Sequence, residues 1–189
     1  QINALRYLDF NVEVFLKRAK ASGYYDNTIF VFFGDHNTKM SKSKYLQTND
    51  FEYDTELLHV PFFIHAPNFV DPQKIERYTK LVDVVPTAAS LANISYTNYT
   101  LGSNALDSLK ATDFAFLYTK INGEPAIGLL QDEYYYTITT VTNTTKLYKF
   151  TDKDVRDIQK QHPGITQKMD SLLRGYYHAT KYLYYNNKK

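Results

Sequence analysis

Two side chains able to hold a metal ion stand next to each other at Asp35 and His36. A carboxylate oxygen suits a hard divalent cation, and an imidazole nitrogen suits manganese or zinc. Both follow Gly34, which ends the run Thr28, Ile29, Phe30, Val31, Phe32, Phe33. Such an unbroken apolar and β-branched run predicts a strand buried on both faces, of the kind found inside parallel sheets. The glycine then lets the backbone turn tightly. In open α/β sheets ligands bind beyond the carboxyl ends of the strands, so the carboxylate and the imidazole fall at the edge where active sites are built. A turn there breaks the strand's alternation of sides, and both groups can face one ion. Two ligands are too few for a stable site, so others must come from elsewhere. The pair also has a structural reading, in which the Asp caps the following turn and the His packs beside it.

The elements around this pair read as α/β. Ile2, Leu5, Leu8, Val12, Phe15, Leu16 and Ala19 recur at helical spacing, with Lys17, Arg18 and Lys20 in the last turn and Gly23 as the stop. Residues 38–57 form a polar stretch with Lys39, Lys42 and Lys44. It reads either as a lid that meets an anionic substrate or as a solvated loop. A second apolar strand is expected over Val60–Ala66, closed by Pro67 and preceded by His59. His59 can face the crevice as a substrate group, or sit at the core edge with its nitrogens satisfied by backbone; His65 reads as structural. Asp83 precedes a short helix whose first turn contains Pro86, and is placed to cap or hold that turn. Residues 93–107 are polar and turn-rich. Four short β-type runs follow, Phe114–Tyr118, Ala126–Gln131, Tyr134–Val141 and Lys146–Phe150, which predict an antiparallel meander. A helical piece is expected over 154–161, interrupted by Pro163-Gly164, then a terminal helix with Ile165, Met169, Leu172, Leu173 and Tyr176 on one face.

Composition narrows the partners. A chain of 189 residues with 43 % hydrophobic residues is long enough for a sizeable core and unlike a disordered segment. A formal charge of +2 gives no argument for nucleic acid. With no cysteine, disulfides and thiolate metal sites are excluded. No apolar run reaches the length of a membrane span. Gln1 already lies within the helical pattern, which suggests that the chain starts inside a larger protein.

The segments GDHN at 34–37, HVPFFIHAP at 59–67 and LVDVVPTAASLANI at 81–94 occur in order and at fitting distances. Together they resemble the sulfatase-like branch of the alkaline phosphatase superfamily. Within it the similarity is to the C-terminal part of lipoteichoic acid synthases and related phosphoglycerol transferases. The resemblance implies part of an alkaline-phosphatase-like sheet flanked by helices over 1–110, and a small C-terminal antiparallel sheet with a terminal helix over 111–189. It makes Asp35 and His36 metal ligands, with manganese expected and magnesium, calcium or zinc compatible with the donors. It implies a phosphate- or sulfate-ester substrate and an extracytoplasmic protein whose parent is membrane-anchored. In that family the nucleophile, a threonine in the synthases, lies well upstream of GDH, and no matching motif occurs here. The chain is therefore expected to be a C-terminal fragment, inactive alone, that can self-associate through an exposed sheet edge. The alternative is a non-catalytic binding or structural module that reuses the fold.

Overall fold

The computed structural model describes residues 2–37, 55–107, 113–152 and 154–187. The lysine-rich stretch 38–54 lies outside them. The chain divides into two compact units, one of residues 1–32 and 62–74, the other of 33–61 and 75–189.

The first unit is built on α1 (Ile2–Ala21) and on two paired strands, β1 (Phe30–Phe33) and β2 (Phe62–His65). The apolar spacing of 2–19 does give one uninterrupted helix, and Gly23 follows it at φ 81°. Phe15 meets Phe30 edge-on at 5.7 Å, and Ala19 is fully buried. The first half of the stripe is uncovered: Ile2, Leu5 and Leu8 are 60–68 % exposed. Length explains this. Twenty residues of helix run about 30 Å, whereas a four-residue strand runs about 13 Å, so these strands reach only the C-terminal part of the helix.

The ring contacts Phe32–Phe63 (4.7 Å, stacked) and Phe30–His65 (6.1 Å) pair residues in opposite chain directions. The strand pair is thus antiparallel, not parallel as the apolar run suggests. Nor is β1 buried on both faces: Phe30 is 7 % exposed but Phe33 is 52 % exposed. A strand with a single partner leaves much of its side-chain surface open. His65 is structural as expected, its Nε2 lying 2.6 Å from the Tyr25 hydroxyl.

In the second unit β3 (Ala115–Ile121), β4 (Glu124–Gln131), β5 (Tyr134–Thr139) and β6 (Thr145–Lys149) form an antiparallel meander in sequential order. Its tight turns carry Asn122, Asp132 and Asn143 at φ 51–55°, a conformation that Asn and Asp tolerate best after glycine. α3 (Pro163–Asn186) covers one face. Met169 and Leu173 pack there with Leu129, Tyr136, Ile138 and Leu147. Pro163-Gly164 begins this helix and does not interrupt one, because a proline N–H is not missed in a first turn. Residues 154–161 contain turns and no helix, with Ile158 buried as an anchor.

The Tyr136 hydroxyl donates to Asp170 Oδ1 (2.8 Å), and Arg174 Nε holds the same carboxylate at 2.9 and 3.0 Å. Burial, followed by the hydrogen bond to Asp170, pushes the phenol from 10.0 up to about 12. The unfolded chain loses this proton first, so the stabilisation is complete below pH 10 and is lost as pH rises through about 12. Urea midpoints measured between these values should fall with pH, and fall less in Tyr136→Phe.

A buried ion pair anchors the start of α2 (Val84–Leu91). Asp83 is 2 % exposed; its Oδ2 accepts the Lys80 backbone N–H (2.8 Å) and faces Lys80 Nζ at 3.2 Å. Its Oδ1 accepts the Ser103 N–H at 2.8 Å. Lys80 Nζ also lies 4.8 Å from the Phe114 ring centre. Thr87 Oγ1 donates to the Asp83 carbonyl and accepts the Ala105 N–H, at 2.6 and 2.9 Å. The irregular segment 100–107 is thereby held to the helix. Gly102 is required for the approach, since a Cβ there would stand 1.9 Å from the Val82 carbonyl oxygen.

Candidate metal half-site

The backbone sets the site before any side chain does. Gly34 N–H donates to the Pro61 carbonyl (3.0 Å), and Asn37 N–H donates to the Leu57 carbonyl (2.8 Å). These two bonds lay 34–37 against 57–61. Asp35 and His36 sit between them on one segment, and His59 between them on the other. A Cβ on Gly34 would stand 2.9 Å from Val60 Cβ, so close apposition is what this glycine provides. We expect Gly34→Ala to cost about 1–3 kcal/mol, in the range of overpacking. Adding Val60→Gly should recover part of the loss in urea unfolding.

Asp35 and His36 are both exposed. The His36 backbone N–H donates to Asp35 Oδ1 at 2.9 Å, which fixes the carboxylate at the turn and leaves Oδ2 outward. His36 Nδ1 lies 3.2 Å from the Asn37 carbonyl. A carbonyl only accepts, so Nδ1 carries the proton and Nε2 presents its lone pair. This backbone lock on the far nitrogen is how metal-binding histidines are commonly oriented. The chemistry of the donors therefore fits a divalent cation: one carboxylate oxygen and one imidazole nitrogen, adjacent and open to solvent. It is also incomplete. Among the described residues no group of three or more His, Cys, Asp or Glu could hold a metal. His59 is exposed and its backbone N–H is bound to the Thr55 carbonyl at 2.9 Å. Its ring has no protein partner among the described residues, so the satisfied core-edge histidine is not what stands here.

Residues 1–94 match the Sulfatase family model. With this fold and this GDH turn, the chain belongs to the sulfatase-like family. Among curated proteins it is similar to lipoteichoic acid synthase 2 of Bacillus subtilis, 34 % identical over 134 residues, covering 62 % of this chain and 20 % of that protein. It is also similar to a lipoteichoic acid synthase-like protein of the same organism, 32 % identical over 150 residues, covering 74 % of this chain and 23 % of the relative. The chain thus spans about a fifth of the length of these curated relatives. Among solved structures, a protein bound to its substrate D-glucosamine-2-N,6-O-disulfate superposes with a TM-score of 0.66 at 14 % identity, over 94 % of this chain and 39 % of that one. A phosphonate monoester hydrolase of Silicibacter pomeroyi gives 0.62 at 16 % identity, over 90 % of this chain and 38 % of its own. At such identities the agreement is one of fold. No helix among the described residues is long and apolar enough to cross a membrane.

Proposed function

We propose that Asp35 and His36 are two of the ligands of a divalent cation, manganese in the first place, in a phosphoglycerol transferase or phosphate- or sulfate-ester hydrolase. The observation that carries this reading is the turn itself, in which the bond from His36 Nδ1–H to the Asn37 carbonyl leaves Nε2 outward beside the free Asp35 oxygen. A cation held there supplies Lewis-acid charge against the oxygens of a phosphate or sulfate ester. Asp35 contributes the negative charge that retains it, and His36 a fixed neutral donor. His59, on the apposed segment, is placed to touch the ester. The similarity to lipoteichoic acid synthases favours a phosphate over a sulfate ester, and with it an extracytoplasmic setting and a membrane-anchored parent.

In this reading the nucleophile and the remaining ligands are supplied by sequence outside these 189 residues, of which the relatives have much more. The test is hydrolysis of bis-p-nitrophenyl phosphate with manganese present, for this chain alone and for a form extended upstream to the length of the relatives. Turnover is expected only in the extended form, and Asp35→Asn should reduce it to background. Turnover by the 189 residues alone would contradict the division of the site. An extended form that neither turns over nor binds metal would leave the fold as a non-catalytic module.

A further inference from the structure

The meander has a second face, turned away from α3, on which a groove of about 240 Å³ opens among Ile121, Asn122, Glu124, Thr137, Thr144 and Lys146. We propose that this groove binds a neutral polyhydroxylated molecule, a polyol or a single sugar ring, independently of the metal half-site.

The strand pattern explains why the groove exists. Tyr136 and Ile138 point into the core under α3, so Tyr135, Thr137 and Thr139 point the other way. Thr137 is paired with Gly128 on one side and Lys146 on the other. Gly128 brings no side chain, because the Tyr135 ring lies across it; a Cβ there would be 2.6 Å from Tyr135 Cε2. The face is therefore hollow beside Thr137.

The wall of the groove is fixed by its own hydrogen bonds. Glu124 Oε1 accepts the N–H groups of Val141 and Thr142, at 3.2 and 2.7 Å, and Oε2 accepts the Thr142 hydroxyl at 3.1 Å. Thr139 Oγ1 accepts the Thr144 N–H at 3.0 Å. Two groups are left over. Thr137 is 1 % exposed, yet among the described residues its hydroxyl has no partner. Lys146 has no ion pair among them either. Buried hydroxyls are nearly always satisfied, by protein, by water or by a ligand; this one opens into a groove with room for about eight waters.

The lining selects the class of ligand. Thr137 and Asn122 each both donate and accept, Lys146 donates and Glu124 accepts. That alternation matches vicinal hydroxyl groups. One carboxylate facing one ammonium favours neither a full anion nor a full cation. No aromatic ring lines the groove, so nothing stacks on a planar ligand.

The test is a titration of the isotope-labelled 189-residue chain with glycerol, glucose and maltotriose, read by amide NMR shifts, with sodium sulfate as the anion control. Saturable shifts at 121–124, 137 and 142–146 are expected with glycerol or glucose. Binding of maltotriose as well would mark a ligand carried on a chain; its exclusion would mark a free small molecule. Thr137→Val, which keeps shape and strand preference, should weaken binding about fivefold, as loss of one neutral hydrogen bond does. Lys146→Met should weaken it about tenfold. Absence of saturable shifts, equal shifts with sulfate, or unchanged affinity in both variants would overturn the proposal.

Discussion

Asp83→Ala should lower the unfolding free energy by about 3–5 kcal/mol, the cost of removing one partner of a buried ion pair. The reason is what stays behind. The Lys80 side chain is 5 % exposed, and without the carboxylate its ammonium remains in an apolar setting beside Phe114. The N–H groups of Lys80 and Ser103 lose their acceptor as well. The same carboxylate helps burial push the Tyr176 phenol up to about 12, so the variant should also ionise that tyrosine at lower pH. A double change, Lys80→Met with Asp83→Ala, should recover more than half of the loss, since replacing both members of a buried pair by apolar groups is often close to neutral. Chemical unfolding of the four forms gives the coupling. A loss under about 1 kcal/mol in Asp83→Ala would place the pair with exposed ion pairs of small effect.

Asp35→Ala and His36→Ala should each weaken manganese binding in the upstream-extended form by about a hundredfold, the upper range seen even when only a supporting residue of a metal site is lost. His59→Ala should leave metal affinity within about threefold, because it is assigned to the ester and not to the ion; no principle of metal retention requires it. Asn37 acts only through its backbone carbonyl, so Asn37→Ala should also bind normally. That contrast separates ligands from residues that merely sit near them. If His59→Ala proves as damaging as His36→Ala, the metal set is drawn wrongly.

Much of the architecture was legible from the residues. The four β runs and their turns were fixed by local signals: Asn122-Gly123, Asp132 and Asn143 sit at positive φ, and each run is short and β-branched or aromatic. The helix of 2–19 was equally plain in its spacing. Pro163 misled because proline both ends helices and starts them, and only the packing of Met169 and Leu173 on the sheet decides which. The apolar run of β1 pointed to a doubly covered strand; composition alone cannot say how many neighbours a strand has. At the site, Asp35 and His36 could be named from type and position. The apposition of 34–37 with 57–61 could not, because it depends on Gly34 meeting Val60 across an intervening stretch. Lys80 as the partner of Asp83 carried a faint signal, a charge three residues away at a turn, which ordinarily marks an exposed pair.

The most direct test of the metal assignment is the number and affinity of manganese ions bound by the upstream-extended form, read by electron paramagnetic resonance as free ion is titrated in, against Asp35→Ala. The account predicts at least one tight ion per chain in the parent form and its loss in the variant, with imidazole nitrogen hyperfine coupling that disappears in His36→Ala. No tight ion in the parent form, or a tight ion that both substitutions leave untouched, would contradict it.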